Sequence, residues 1–214
     1  FANELPTSAM AEEILTPGEG QIRAMFTAAA NPVLTACNGN RIEKALSQLD
    51  FMVSLDPYIN ETTCHADIIL PPTFALEHDH FDISFNALAV RNFARYSPPL
   101  FGKPEGTLHD WEIYTALGKR LADKIGAKAK PDMSPDQMLD FALQMGPYSE
   151  SAGDPLKLSL EKLRSENHGI DFGPLTPSIP ERLQTPDKRI DCAPALLLKD
   201  LDRVKNEFIG LKIP

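Results

Sequence analysis

The sequence predicts an α/β fold: a Rossmann-like three-layer sandwich around a mainly parallel sheet, with a proline-rich C-terminal extension. The first observation is a set of short apolar runs at 22–30, 51–55 and 68–70, separated by segments of helical or turn character. The second is that FMVSL is continuous in apolarity rather than alternating, as in strands covered on both faces. The third is spacing: very few residues separate the helical pattern at 38–49 from the strand after it, the rhythm of strand–helix–strand crossovers.

In order along the chain, residues 1–20 are polar and irregular, ending in the turn-rich TPGEGQ. IRAMFTAAA (22–30) reads as a strand running into small residues and then NPVL. NGNRIEKALSQL (38–49) puts Ile42, Ala45, Leu46 and Leu49 on one helical face, with Asn38 or Asn40 as N-cap. FMVSL (51–55) is the second strand, ETTCHA (61–66) makes about one helical turn, and IIL (68–70) is the third strand. Right-handed crossovers then bring the chain after Thr27 and after Leu55 to one edge of the sheet.

Residues 73–106 lack a clean period and read as a long excursion over a surface. TLHDWEIYTALGKRLADKI (107–125) is a helix capped by Thr107, with Asp110 in its first turn and Trp111, Tyr114, Leu117 and Leu121 as a buried stripe. SPDQMLDFALQM (134–145) starts with Ser134 as cap, Pro135 in the first turn and Gln137 completing a capping box. DPLKLSLEKLRSE (154–166) is a third, amphipathic helix. The segment 168–204 is dense in proline and reads as extended, with a short strand near Arg189–Cys192. The organisation expected is an α/β domain over 1–150 and a helical, proline-rich extension or linker over 151–214.

Of the 214 residues, 43% are hydrophobic and 24% charged, enough apolar material for a real core. The formal net charge of -9 argues against nucleic-acid and anionic-membrane partners, which need clustered Lys and Arg. The nearest basic segment is KIGAKAK (124–130), read as a helix end entering a loop. No apolar run reaches the ~20 residues of a membrane helix, so no membrane insertion is expected. FANELPTSAMAEEIL has no basic-then-apolar leader. Cys37, Cys64 and Cys192 are far apart and read as small buried residues of a reducing, cytoplasmic compartment. A leader on a longer parent chain would point to the periplasm instead.

In an open parallel sheet, ligands bind beyond the carboxyl ends of the strands. AAANPVL, DPYINET and PPTFALEHDH all arrive there. Neither GxGxxG nor GxxxxGKS occurs, so any nucleotide is held differently. Asp56 has two readings. A carboxylate at a strand's end accepts the paired N–H groups of guanine; equally, Asp before Pro57 starts a turn. LEHDHFD gathers Glu77, His78, Asp79, His80 and Asp82, but without HExxH spacing it reads as a solvated polar segment. There is no GxSxG elbow. Asp110 also has a purely structural reading, as a first-turn acid answering the helix dipole.

Taken together, NPVLTACNGNRIEKAL, LDFMVSLDPYINETTCHADIILPPTFALEHDHFD and HDWEIYTALGKRLA, in that order, resemble the molybdopterin oxidoreductase family. These are the bis-molybdopterin guanine dinucleotide enzymes related to formate dehydrogenases, nitrate reductases and dimethyl sulfoxide reductase. ETxxxADIILP is the most specific element, and the resemblance is firm over about residues 15–125. It implies an internal fragment covering the third, cofactor-binding domain, which holds one guanine dinucleotide arm. By position, Asn31 with Pro32 would sit near phosphates or ribose, and Leu55 and Asp56 at the guanosine end. His78 stands where relatives often carry a lysine or another polar contact, and Asp110 matches an acid that touches the dinucleotide. Glu61, Thr62, Ala66 and Asp67 look architectural.

The cofactor implied is molybdopterin guanine dinucleotide carrying Mo or W, used for two-electron or oxo transfer. An iron–sulfur cluster would belong to the parent enzyme and not to this fragment, which is not expected to turn over alone. Its partners would be the cofactor, the remaining domains of the same polypeptide and an electron-transfer protein. The second reading is a non-catalytic, nucleotide-binding-like scaffold domain of a larger redox complex, as in the large iron–sulfur subunit of respiratory NADH dehydrogenase.

Overall fold

A computed structural model of the chain describes residues 4–128 and 131–208. The last two residues of KIGAKAK therefore lie outside the described residues. The centre of the fold is a parallel sheet of β1 (Ala24–Ala28), β2 (Phe51–Leu55) and β3 (Ile68–Leu70), in that order. Its register runs from Ala24 opposite Phe51 to Ala28 opposite Leu55, and on to Leu70 opposite Leu55. All three strands therefore stop on one line, which later positions the site.

Two helices cover one face: α1 (Met10–Leu15) and α3 (Gly39–Leu46). Ala11, Ile14, Ile42, Ala45 and Leu46 close over Met52, with Met25 and Leu49 against them. Thr27 and Ser54 share this face and join their hydroxyls at 2.7 Å, satisfying two buried polar groups at once. Strand alternation turns Phe26 to the other face. There it meets Tyr114 of α4 (Asp110–Ile125), ring centroids 5.8 Å apart. The fold is mixed α/β, with a helix against each side of a parallel sheet.

The remaining elements are α2 (Pro32–Thr35), β4 (His80–Phe81), β5 (Arg91–Ala94), β6 (Tyr96–Ser97), α5 (Pro135–Gln144), α6 (Leu160–Ser165), β7 (Ile170–Pro174) and α7 (Ala195–Phe208). β4 pairs antiparallel with β6, and β5 pairs with β7. The chain divides into two compact units, residues 1–89 with 93–171, and residues 90–92 with 172–214. The second contains α7 and a bond from Asn92 Nδ2 to the Pro174 carbonyl of 3.3 Å. Among the described residues no helix is long and apolar enough to cross a membrane.

Several local expectations are corrected. The polar lead-in contains α1, because Ala11 and Ile14 recur at helical spacing between glutamates that face out. His109, not Thr107, caps α4: its N–H donates to Glu112 at 2.7 Å, while the Thr107 hydroxyl is spent on the Pro104 carbonyl. The buried side of α4 carries Ile113 and Ala122, whereas Tyr114 and Leu121 are 46% and 61% exposed. A three-stranded sheet is too narrow to cover the whole stripe of a 16-residue helix.

The helix expected over 154–166 is only α6. Asp154 folds its side chain onto Leu156 N–H, Lys157 adopts φ 50, and Ser159 then caps Lys162. No strand forms at Arg189–Cys192, where Asp187 and Asp191 bind the amides of Arg189 and Ala193 and bend the chain into turns. The three cysteines, expected to be buried, are all exposed.

Candidate functional site

Because the strands end in register, the segments after them leave a single edge. The chain turns sharply after β1: Ala29 takes a left-handed φ of 48 while its N–H donates to the Leu55 carbonyl at 3.0 Å. A non-glycine residue there stores roughly 1 kcal/mol or more of backbone strain. Asn31 follows, and Pro32, buried, opens α2. Asn31 works in both directions. Its Nδ2 donates to Glu61 at 2.8 Å, and its Oδ1 accepts from the Thr62 hydroxyl at 2.6 Å. Thr62 is fully buried and accepts in turn from Val33 N–H at 3.2 Å. The Asn31 bond holds the Glu61 carboxyl below the usual carboxylate range.

After β2 comes Asp56, 8% exposed. Its Oδ1 accepts from Tyr58 N–H at 2.8 Å and its Oδ2 from Asn60 Nδ2 at 3.3 Å. Of the two readings, the turn is therefore present. It does not exhaust the group, since an ionised carboxylate has about four lone-pair sites and two are used here. Asn60 Oδ1 accepts from the amides of both Thr62 and Thr63, each at 3.0 Å. A continuous path thus runs Asn31–Thr62–Asn60–Asp56. The Leu55 side chain is buried in the core, so only its backbone reaches the edge. Asp67 binds Met52 N–H at 2.7 Å, at the strand's other end, an architectural role.

After β3, Thr73 ties the third segment to the start of α4. Its N–H donates to the Leu108 carbonyl at 3.0 Å, and its hydroxyl meets His109 Nδ1 at 2.7 Å. This anchors Asp110, the first residue of α4, beside the end of β3. The rings of Tyr58 and Phe74 pack edge-on at 6.0 Å, bridging the second and third segments. His78 lies edge-on to His109 at 6.3 Å, its Nδ1 against the Asp79 carbonyl at 2.8 Å. Asn31 and Asp56 therefore belong to one hydrogen-bonded path, Pro32 follows Asn31 at the start of α2, and His78 and Asp110 lie beside His109.

A cleft of about 310 Å³ opens on this second cluster, lined among others by His78, Tyr96, His109, Trp111, Asp136 and Arg164. Sequence reasoning missed most of it. The Tyr96 hydroxyl donates to Asp79 at 2.6 Å and accepts from Arg164 at 2.9 Å, with the guanidinium also 4.8 Å over the ring. Arg164 lies 68 positions further on, a separation no local pattern reports. Burial, with the neighbouring carboxylates, pushes the Tyr96 phenol up from 10.0 to about 12. A raised phenol pKa favours the neutral form in the folded state, so its stabilisation is complete below pH 10 and lost toward pH 12. Denaturation between pH 9 and about pH 12 should show this loss, and Tyr96→Phe should flatten it. Among the described residues, no group of three or more His, Cys, Asp or Glu side chains is arranged to hold a metal ion.

The fold and edge define an α/β domain with a polar, hydrogen-bonded ledge beyond a parallel sheet. Residues 2–120, more than half of the sequence, match the molybdopterin oxidoreductase family, and the chain belongs to that family. It is 33% identical over 104 residues to the assimilatory nitrate reductase catalytic subunit of Bacillus subtilis (strain 168), covering 48% of this chain and 14% of that protein. It is 28% identical over 104 residues to a Staphylococcus aureus (strain MRSA252) protein named "Putative formate dehydrogenase", covering 49% of this chain and 10% of that one. The aligned region thus spans only a small part of these relatives' lengths.

Proposed function

We propose that this chain holds the guanine dinucleotide arm of a molybdenum or tungsten pterin cofactor along the C-terminal edge of β1–β3. On this reading it serves as one domain of an oxidoreductase that works by two-electron or oxo transfer. The observation that carries the reading is the path Asn31–Thr62–Asn60–Asp56, which binds the ends of two adjacent parallel strands into one polar surface.

The donor and acceptor chemistry of these residues suits the group. The two lone-pair sites left on Asp56 match guanine's N1–H and N2–H pair. The amides of Ala30 and Asn31 have no acceptor among the described residues and supply donors for phosphate oxygens. Asp110 and His78 border the arm on the β3 side, and Leu55 contributes through its backbone. The bound metal and pterin supply the redox chemistry. The remaining domains of a longer polypeptide and an electron-transfer partner complete the enzyme.

Calorimetric titration of the chain with GDP and with ADP tests this. GDP binding at least about tenfold tighter than ADP supports the reading, and equal affinities or no GDP binding overturn it. One observation favours the second reading, a scaffold without the cofactor: both Asp56 oxygens already accept local hydrogen bonds. A chain that ignores GDP would leave that reading standing.

A further inference from the structure

We infer that Asn60 is the positioning residue of this edge, fixing the plane of the Asp56 carboxylate and thereby setting selectivity for guanine; the inference rests on the reading above. Every polar group of Asn60 is engaged. Its N–H donates to the Thr63 hydroxyl at 2.8 Å, and its carbonyl accepts from Cys64 N–H at 3.0 Å. Its Oδ1 takes two amides, from Thr62 and Thr63, and its Nδ2 reaches Asp56. Thr62 and Thr63 are fully buried, and the Thr63 hydroxyl donates onward to the Tyr58 carbonyl at 2.9 Å.

This arrangement fixes which way the Asn60 amide points. A flipped side chain would set its NH₂ against two backbone N–H groups, donor on donor. The NH₂ must therefore face Asp56. With Tyr58 N–H on Oδ1 and Asn60 on Oδ2, the carboxylate is held from both sides and cannot rotate about its own axis. Bidentate recognition needs such a fixed plane. A carboxylate free to swing engages one N–H as well as two, so it loses the distinction between guanine, with N1–H and N2–H, and hypoxanthine, with N1–H alone.

The probes are GDP and IDP, and the readout is the ratio of their affinities. Asn60→Thr keeps a hydroxyl acceptor for the Thr62 and Thr63 amides but removes the amide donor facing Asp56, and it adds no charge. Asn60→Ser is a smaller counterpart whose hydroxyl also accepts from those amides. Circular dichroism confirms that each variant is folded, and either one carries the test. The wild-type preference for GDP should fall about tenfold in both. A folded variant with an unchanged ratio, alongside a collapsed ratio in Asp56→Ala, overturns the role of Asn60 and leaves the edge reading intact. An unchanged ratio in Asp56→Ala itself overturns the edge reading.

Discussion

Gly39→Ala is expected to destabilise the chain by on the order of 3 kcal/mol. A Cβ on Gly39 would lie 2.2 Å from the Val33 carbonyl oxygen. That oxygen belongs to backbone, so no side chain can rotate away to relieve the overlap. Val33 cannot retreat either, because its N–H is held by the buried Thr62 hydroxyl and its helix opens at Pro32. The strain therefore passes to the first link of the site, where Asn31 and Thr62 meet. For a chain of this size, 3 kcal/mol lowers the melting temperature by roughly 6–12 °C. Thermal and urea denaturation should both report the loss, and an unshifted midpoint would mean α2 and α3 are less tightly apposed than described.

Asp56→Ala is expected to weaken GDP binding by about ten- to a hundredfold while leaving ADP nearly unaffected, the scale of losing charge-assisted hydrogen bonds. The same change leaves Tyr58 N–H and Asn60 Nδ2 without their acceptor, at a cost of about 1–3 kcal/mol in stability. Asp56→Asn separates the two effects. It keeps one oxygen for Tyr58 N–H, so that half of the turn survives, but it sets an NH₂ against both Asn60 Nδ2 and guanine's donors, which makes Asn60→Ser its control for the lost Asn60 bond. Lost GDP selectivity in a stable Asp56→Asn protein assigns the carboxylate to recognition. Retained selectivity would reduce Asp56 to a turn former.

Much of the central fold was legible because its signals are local. The apolar run of β2 reports a strand, although Phe51 stays 44% exposed; the Ile42, Ala45, Leu46 spacing reports burial, and Ser134, Pro135 and Gln137 report a helix start. The edge followed from the strand ends alone. What failed to show depended on distant partners. The sequence around α4 offers Thr107 as the cap, but His109 takes that place, its ring held by Thr73, 36 positions away. β4 and β6 are two residues each and exist only through one another, so no period could reveal them. Asp56 is different in kind: its two readings use the same atoms, and the structure contains the turn without removing the lone pairs that recognition needs.

On the proposed function, the strand ends of β1 and β2 form one guanine-binding ledge. Amide chemical-shift mapping of the chain titrated with GDP tests it most directly. Saturable shifts concentrated at Ala30, Asn31, Tyr58, Asn60 and Thr62, and absent with ADP at the same concentration, are the predicted result. Shifts confined to residues away from this edge, or identical for the two nucleotides, would contradict it.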